Sequence, residues 1–365
     1  MLYNNHQHQK NRIVELLVAI TLIVNATKKM KDIHKSTITM FLCTVSFFHL
    51  HAQQTAEKFI QETRYLLYLP EGYLNDTITK WPMIIFMHGS GESGDDIEKV
   101  KAHGPPKLIA QGKKFPFIIV SPQASNASSG FQAEVIKGML TDLKKKYRVD
   151  EDRVYLTGLS MGGYGTWEVA EKHPEEFAAI APICGGGDAD RVWRLRHIPV
   201  WCFHGAKDDV VPLAASKVMV DSLKKYSKNV RFTVYPDANH NSWEATYNND
   251  SLYTWFLSQK RFKNSRFSLQ QNMLKEFTGM YVARGMDTIR IETENDKLMV
   301  SIGNYKTEIV PGSDTSFFVA QDPFTEAIIF KNTKGKVAGF WVYDWTSRNL
   351  YNKVADDKTK IKKEP

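Results

Sequence analysis

Between Arg64 and Gln259 the sequence alternates short apolar runs with longer amphipathic stretches, and this alternation is the strongest constraint on the fold. The apolar runs, which we interpret as strands, are YLLYL, MIIFM, FIIVS, VYLTG, AAIAPIC, VWCFHG and RFTVYP. Several are apolar throughout, as parallel strands covered on both faces are. The stretches between them place apolar residues at helical spacing, as in FQAEVIKGMLTDLKKKY and PLAASKVMVDSLKKYS. Strand and helix in succession predict right-handed crossovers and a mostly parallel sheet, hence an α/β fold.

The pattern changes after about residue 265. From Phe277 to Val354, short alternating runs such as DTIRIET, KLMVSIG, EAIIFKN and VAGFWVY are separated by turn signals. This predicts an antiparallel β-meander that forms a small barrel or sandwich. We therefore expect an α/β domain over 53–265, a β-rich domain over 266–355 and a disordered, solvated tail over 356–365.

The first 52 residues have the layout of a leader rather than of a folded domain. Between Met30 and Gln53, two lysines precede an apolar centre and the small residue Ala52, as in a secretory signal. We expect translation to start at Met30, cleavage to follow Ala52, and the protein to be secreted or periplasmic. We expect no stable membrane insertion; an N-terminal membrane anchor is the alternative that the pattern leaves open.

The net charge of +8 does not indicate a nucleic-acid surface. Half of the excess lies before Gln53, where six Lys or Arg residues stand against two acids. The remainder is spread along the chain without blocks of interleaved basic and aromatic residues. We expect no nucleic-acid partner, and the sequence leaves the oligomeric state open.

Residues 157–167, TGLSMGGYGTW, follow a predicted buried strand and lead into a predicted helix. Gly-x-Ser-x-Gly in this context is typical of a nucleophile elbow, in which Ser160 occupies a tight turn that only small neighbours permit. Gly158 and Gly162 let the strand and the helix approach each other. Because a serine hydroxyl alone is a poor nucleophile, this hypothesis requires a base from elsewhere in the chain.

His240 is the predicted base, since it follows the last predicted strand in the loop DANHNSW, which precedes a helix. An imidazole base needs a carboxylate to fix its tautomer, and Asp208 and Asp209 both follow the strand VWCFHG. Asp208 is favoured by its spacing from the flanking Gly and Val-Pro, with Asp209 as the alternative. The chain order Ser160, Asp208, His240 is that of the α/β-hydrolases.

The negative charge that develops on an ester carbonyl oxygen needs backbone N–H donors. The amide of Met161, directly after the predicted nucleophile, is one candidate. The loop in MIIFMHGSGESG supplies the second, for which we choose Ser90, with Gly91 as the alternative. We interpret His88 and Glu92 as residues that hold this loop.

Trp243 and the cysteines have more than one interpretation. Trp243 either walls the acyl pocket as a substrate-binding residue or packs the start of a helix against the sheet. Cys184 is rejected as a nucleophile because no elbow surrounds it. Export would permit a disulfide between Cys184 and Cys202, but both lie in apolar strand-like runs, where buried thiols are common.

Taken together, HGSGE, GLSMGGYGTW, HGAKDDVVP and NHNSW resemble the α/β-hydrolase esterases of the feruloyl-esterase and polyhydroxybutyrate-depolymerase-like group, which are often secreted by bacteria. The resemblance covers about Arg64 to Gln259. It implies carboxylic-ester hydrolysis by a Ser, His, Asp triad through an acyl-enzyme, with no metal and no cofactor.

The C-terminal region resembles, more faintly, the small β-barrel modules appended to secreted serine hydrolases of the β-lactamase-like type. The runs that carry this resemblance are FTGMY, DKLMV and KGKVAGF. Its aromatic residues either fill a small core, which is the favoured interpretation, or form a sugar-stacking or lid surface.

We therefore expect a secreted serine esterase that acts on acetyl or feruloyl groups of polysaccharides. A serine peptidase on the same fold is one alternative, because a triad does not distinguish an ester from an amide. A catalytically silent module that binds a glycan or a protein is the other. Loss of a triad member would mark such a module, and the sequence retains all three candidates.

Overall fold

The computed structural model describes residues 62–354, so the predictions for residues 1–52 and 356–365 lie outside the described residues. A seven-stranded sheet occupies the N-terminal part of the described chain. Its strands are β1 (Tyr65–Tyr68), β2 (Trp81–Met87), β3 (Ile118–Pro122), β4 (Val149–Leu159), β5 (Ala179–Ile183), β6 (Val200–Gly205) and β7 (Val230–Tyr235). They are ordered β1-β3-β2-β4-β5-β6-β7, and neighbouring strands are parallel except for β1 with β3. The predicted mostly parallel α/β sheet is therefore confirmed.

Helices connect these strands. The α-helices are α1 (Gly104–Ala110), α2 (Ala133–Lys146), α3 (Met161–Lys172), α4 (Leu213–Leu223), α5 (Trp243–Tyr247) and α6 (Asp250–Ser258). Shorter 3-10 helices lie at Ser90–Glu92, Ile97–Ala102, Pro174–Glu176 and Val192–Leu195. Among residues 62–354, no helix has both the length and the apolar character that crossing a bilayer requires.

The sheet is covered on both faces. Successive side chains of a strand point to opposite faces, so Ile85 packs with Trp167 of α3 on one face. On the other face, Phe86 packs with Tyr247 of α5 and Phe256 of α6. Each such fully buried side chain contributes about 1.5–3 kcal/mol relative to exposure. Burial on both faces explains why the central strands are apolar throughout instead of alternating.

The C-terminal part is a closed antiparallel barrel preceded by one helix. Its elements are α7 (Gln271–Phe277), β8 (Gly279–Val282), β9 (Ile289–Glu294), β10 (Lys297–Ile302), β11 (Tyr305–Pro311), β12 (Ser316–Val319), β13 (Asp322–Lys331), β14 (Val337–Tyr343) and β15 (Arg348–Lys353). Strand β15 pairs with β8 through Lys353 and Tyr281 and so closes the barrel. Phe277, Phe317 and Phe340 lie in its core. The predicted β-rich region is confirmed, and of the two expected architectures it is the barrel.

Glu326 joins the barrel to the α/β part of the chain. Its buried carboxylate, on β13, accepts hydrogen bonds from Arg196 Nε at 2.9 Å and from His197 Nε2 at 2.8 Å. Burial alone raises the pKa of Glu326, but the hydrogen bonds and charges of His197 and Arg196 outweigh it and hold the pKa below its ordinary value. The two parts of the chain are therefore linked by a buried ion pair.

Candidate active site

Ser160 lies directly after β4, in a strained backbone conformation. Its φ is 52° and its ψ is −117°, a region that residues other than glycine rarely adopt. A Cβ on Gly162 would overlap the carbonyl oxygen of Met87, and one on Gly158 would overlap that of Gly162. Only glycine at both positions allows β2, β4 and α3 to approach this closely, so the elbow forms as the motif predicts.

His240 bridges Ser160 and Asp208. Its Nε2 lies 2.9 Å from Ser160 Oγ, and its Nδ1 lies 2.8 and 3.0 Å from the two carboxylate oxygens of Asp208. Because carboxylate oxygens only accept, Nδ1 carries the proton and Nε2 is left to accept from the serine hydroxyl. The three residues follow β4, β6 and β7, whose carboxyl ends lie at one edge of the parallel sheet. The structure thus brings together all three residues predicted as the triad.

The loop that carries His240 packs closely on the end of β6. A Cβ on Gly205 would overlap the carbonyl oxygens of Ala238 and Asn239. Glycine at the last position of β6 therefore lets the loop before His240 approach the loop that carries Asp208.

Asp208, rather than its neighbour Asp209, faces His240. Its side chain is fully buried, whereas Asp209 is exposed. The backbone N–H groups of Val210 and Val211 donate to its Oδ1 at 3.0 and 2.8 Å. Burial alone raises the pKa of Asp208, but the hydrogen bonds from His240 and these amides outweigh it and lower the pKa below its ordinary value. Asp208 is therefore held as a carboxylate.

His204, on β6, is a neighbour of the triad to which the sequence argument gave no role. Its imidazole is fully buried, with Nε2 3.2 Å from Asp208 Oδ2 and 2.9 Å from the carbonyl oxygen of Val211. Its Nδ1 lies 2.8 Å from Ser216 Oγ, which lies 2.7 Å from the carbonyl oxygen of Gly185. Since Nε2 faces two acceptors, it carries a proton, which it donates to the carbonyl oxygen of Val211, while Asp208 Oδ2 lies close beside it. The available signal was the position of His204, four residues before Asp208 in VWCFHGAKD.

The loop predicted to carry an oxyanion donor lies against the nucleophile. A Cβ on Gly89 would stand 3.8 Å from Ser160 Cβ and 2.9 Å from Leu159 Cδ1. Ser90 begins the 3-10 helix that follows, and Met161 is the first residue of α3. The first N–H groups of a helix have no partner within it, so the Met161 amide is available to a ligand. The choice between Ser90 and Gly91 as the second donor stays a prediction.

His88 holds this loop in place. It is fully buried, its Nε2 accepts from the amide of Ala124 at 3.0 Å, and its Nδ1 lies 2.5 Å from the carbonyl oxygen of Gly89. Burial lowers the pKa of His88, which keeps the imidazole neutral. Glu92 is also buried, and burial raises the pKa of its carboxyl group. The contacts of His88 and the burial of Glu92 agree with the predicted role of both residues in supporting the loop.

Trp243 packs against the imidazole of His240. The two ring centres are 5.0 Å apart in an edge-to-face arrangement, and the indole is 9% exposed. Its other neighbour is His103, at 5.3 Å. Trp243 also belongs to one of the two apolar clusters of the sheet. It therefore helps to hold His240 in the loop that precedes α5.

Two exposed apolar side chains lie close in sequence to triad residues and were not singled out from the sequence. Val210, two positions after Asp208, is 65% exposed, and Tyr164, in the first turn of α3, is 42% exposed. Exposed apolar groups beside a nucleophile are suited to contact the acyl or alcohol part of a substrate.

Cys184 lies beside the triad as a free, buried thiol, and Cys202 is likewise free and buried. Burial raises the pKa of each thiol to about 12, so both are protonated at neutral pH. Cys184, Asp208 and His240 are the one group of potential metal ligands found among residues 62–354. Within that group, Asp208 and His240 already bond each other, and the thiol is protonated. The arrangement suits proton transfer to and from Ser160.

Comparison with known proteins agrees with this geometry. Residues 116–257, from just before β3 into α6, match the model of the dienelactone hydrolase family. The fold of the sheet and its helices is α/β-hydrolase-like.

Three curated relatives align with parts of this chain. The bifunctional acetylxylan esterase/xylanase XynS20E of Neocallimastix patriciarum is 26% identical over 48% of this chain and 26% of its own length. Poly(3-hydroxyalkanoate) depolymerase C of Paucimonas lemoignei is 30% identical over 29% of this chain and 28% of its own length. The probable feruloyl esterase C of Aspergillus terreus is 23% identical over 42% of this chain and 58% of its own length. The resemblance to this group is confirmed, although the chain spans less than two thirds of each of these relatives.

Among solved structures, a thermostable esterase is 33% identical, with a TM-score of 0.47, over 55% of this chain and 60% of that chain. A ferulic acid esterase is 20% identical, with a TM-score of 0.42, over 53% of this chain and 93% of that chain.

Proposed function

We propose that this chain is a serine hydrolase that cleaves carboxylic esters through an acyl-enzyme. The observation that carries the proposal is the chain of hydrogen bonds from Asp208 through His240 to Ser160. Ser160 itself lies in a tight backbone turn with positive φ. A hydroxyl bonded to a neutral imidazole nitrogen can lose its proton as it attacks a carbonyl carbon. The match to a hydrolase family supports the same chemistry.

In the acylation step, Ser160 Oγ attacks the ester carbonyl carbon while its proton moves to His240 Nε2. Asp208 keeps the proton on Nδ1 and stabilises the imidazolium cation. The amides of Met161 and Ser90 are the proposed donors to the oxyanion, each lowering the barrier by roughly 3 kcal/mol. His240 then gives its Nε2 proton to the leaving alcohol oxygen as the ester bond breaks, which leaves Ser160 acylated.

Deacylation repeats these steps with water. A water molecule loses a proton to His240 Nε2 as its oxygen attacks the acyl carbon. The tetrahedral species collapses, the bond to Ser160 Oγ breaks, and His240 returns the proton to that oxygen. The products are the free acid and the starting enzyme.

We further propose acetyl or feruloyl groups on polysaccharides as the substrates. Support comes from relatives whose names describe an acetylxylan esterase and a feruloyl esterase. We propose that three side chains shape the substrate site. They are Trp243, which packs edge-to-face against His240, and the exposed Val210 and Tyr164.

A fluorophosphonate probe and an ester panel test the proposal on the full-length chain. We expect the probe to label wild type and not Ser160→Ala. We also expect hydrolysis of 4-nitrophenyl acetate, methyl ferulate and acetylated xylan by wild type alone. Faster cleavage of peptide amides than of every ester would instead indicate a peptidase. A folded protein that takes up no probe would indicate a catalytically silent binding module.

We also propose that the protein is exported. The support is the signal-like stretch from Met30 to Ala52. N-terminal sequencing of protein recovered from the periplasm and the medium of an expressing bacterium tests this, with Gln53 expected as the first residue. Full-length protein retained in the membrane fraction would favour the N-terminal anchor.

A further inference from the structure

A cavity of about 360 Å³ lies where the α/β sheet meets the barrel. We call it the junction cavity and define it by Arg194, Arg261, Phe262, Phe324 and Trp345, which line it. Its volume falls in the range of small-molecule sites. None of the residues that line it belongs to the predicted triad or oxyanion loop.

The junction cavity and Ser160 lie at opposite edges of the parallel sheet. Two groups of cavity residues lie just before parallel strands: Pro174, Glu175 and Phe177 before β5, and Arg194, Arg196, His197 and Ile198 before β6. Ser160 and the rest of the predicted triad instead follow the ends of parallel strands. Strands of five or six residues at about 3.3 Å per residue separate the two edges by roughly 17–20 Å. A ligand in the cavity therefore does not contact the ester bond at Ser160.

Arg194 brings a guanidinium group to the cavity. Its guanidinium donates to the carbonyl oxygens of Glu171, Lys172 and Trp345. Among the described residues, no carboxylate forms an ion pair with it. A guanidinium held by carbonyl groups keeps its full charge and attracts an anion.

Arg196 is a second arginine that lines the cavity. Its side chain is 3% exposed, and the carboxylate of Glu326 that it contacts is shared with His197. Its Nη1 is buried without a hydrogen-bond partner in the part of the chain that the structure describes. A buried, unpartnered donor is costly, and a nearby anion would offset that cost.

The acids around the cavity are already engaged. Glu175 pairs with Lys137, and Asp322 accepts from Trp345 Nε1. Asp152 accepts from Arg261 and Lys263. Glu175 still acts on Arg194 through its charge, and the neutral indole of Trp345 does not offset the charge of Asp322. The cavity keeps a net positive charge because four Arg or Lys side chains line it against two acids.

Two aromatic side chains of the cavity are stacked on a neighbouring ring and remain partly exposed. Phe262 is 47% exposed and lies flat on His197, with ring centres 3.9 Å apart and planes 5° apart. Trp345 is 39% exposed and stacks on Phe324 at 4.2 Å. Such rings are held rigidly while part of their surface stays open, and aromatic faces pack well against the apolar faces of sugar rings.

We propose that the junction cavity binds a uronic-acid unit of an acidic polysaccharide. The sugar ring packs against Phe262 and Trp345, and its carboxylate lies near Arg194, since guanidinium and carboxylate match in geometry and charge. The choice of a sugar as the ligand rests on the proposed function, because a remote glycan site holds the polymer while Ser160 removes its acyl groups.

Calorimetric titration of the full-length Ser160→Ala protein tests this proposal. The two probes are a xylo-oligosaccharide with one glucuronic-acid branch and the unbranched oligosaccharide of the same backbone length. We expect at least tenfold tighter binding of the acidic probe and a weakening of that binding in 0.5 M NaCl.

Variants in the same background locate the binding site. Phe262→Ala, at an exposed position, and Arg194→Gln should each weaken binding of the acidic probe at least tenfold. Arg191→Gln is the matched control, because Arg191 is exposed, lies three positions earlier and faces Asp188; it should leave binding unchanged. Thermal unfolding identifies any variant that fails to fold.

Three outcomes would overturn the proposal: no binding, equal binding of both probes, or binding that neither Phe262→Ala nor Arg194→Gln alters. Equal affinity for a polyglutamate peptide would replace the sugar site with a general anion site. In an otherwise wild-type chain, Arg191→Gln should keep its turnover of 4-nitrophenyl acetate. Absence of that turnover in wild type would refute the proposed esterase activity. The titrations would still show whether the junction cavity binds the sugar.

Discussion

His204 Nε2 lies 3.2 Å from Asp208 Oδ2, the same oxygen that His240 Nδ1 approaches to 2.8 Å. One carboxylate oxygen thus faces two imidazoles, of which His204 is fully buried and His240 faces Ser160. Asp208 is therefore oriented by His240 and by the amides of Val210 and Val211, with His204 packed beside it.

We expect His204→Leu to lower kcat for 4-nitrophenyl acetate by on the order of tenfold with little change in KM, because it removes the imidazole N–H that lies 3.2 Å from Asp208 Oδ2 and leaves the buried carbonyl oxygen of Val211 without this donor. His204→Gln, which keeps a side-chain donor, should retain more of the activity. Ser216→Ala is the control, since Ser216 contacts the far nitrogen of His204, and its effect should be smaller. A His204→Leu protein with a lower melting temperature but an unchanged kcat would reduce His204 to a packing residue.

Ser160 should store backbone strain that a glycine releases. Ser160→Ala and Ser160→Gly are both expected to lower kcat by at least about a thousandfold, because each removes the nucleophile. The φ of 52° and ψ of −117° favour glycine alone, so the glycine variant should be more stable than the alanine variant by about 1 kcal/mol. Urea unfolding of the two variants measures the difference, and equal midpoints would mean that the elbow is unstrained.

Glu326 should make the stability of the protein sensitive to acid. Because its folded-state pKa is lowered, the stabilising effect is present above the unfolded value of about 4.3 and is lost as the pH falls through the folded value. Glu326→Gln should lower the free energy of unfolding by about 3 kcal/mol at pH 7 and flatten its fall at acidic pH.

The control for Glu326 is Glu292→Gln, which breaks an exposed pair with Arg290 and should cost less than about 1 kcal/mol. Urea unfolding of both variants between pH 3 and pH 7 provides the comparison. An equal loss in the two variants would show that burial of the Glu326 pair adds nothing.

Gly162 and Gly138 should respond to alanine in opposite directions. A Cβ on Gly162 would overlap the carbonyl oxygen of Met87, whereas one on Gly138, inside α2, meets nothing within 4 Å. Gly162→Ala should therefore lower both the melting temperature and the esterase activity. Gly138→Ala should stabilise the protein by roughly 0.5–1 kcal/mol, the difference in helix propensity. Gly162→Ala with unaltered melting and kinetics would contradict the close approach of α3 to β2.

The sheet and the three residues that meet at its edge were predictable because local patterns encode them. Buried parallel strands are continuous apolar runs, and a parallel sheet collects its strand ends at one edge, so Ser160, Asp208 and His240 had to approach one another. The direction of a single amide could not be predicted in this way, which is why Ser90 and Gly91 remain alternatives. The role of His204 depends on which side of β6 its side chain takes. The four residues before it, VWCF, are all apolar and show no alternation that would indicate that side.

The barrel was predictable as a β-rich region but not as a closed structure. Strands β9, β10, β13 and β14 have clear runs, whereas β8 and β12 have only four residues each. Closure depends on the pairing of β15 with β8, which no local pattern reports. The junction cavity is similarly non-local, because its walls come from segments before β5 and β6, after α6 and from the barrel.

The pairing of residue 281 with residue 353 also sets the order in which the barrel can be made. As the ribosome releases the chain, strands β9 to β14 can form successive hairpins, but β8 has no partner on its open side until β15 emerges. During that interval the nascent chain presents two unpaired strand edges to its surroundings, which are sites of intermolecular pairing. In a chain truncated before β15, both edges would stay unpaired. We expect such a chain to be found with chaperones or in inclusion bodies.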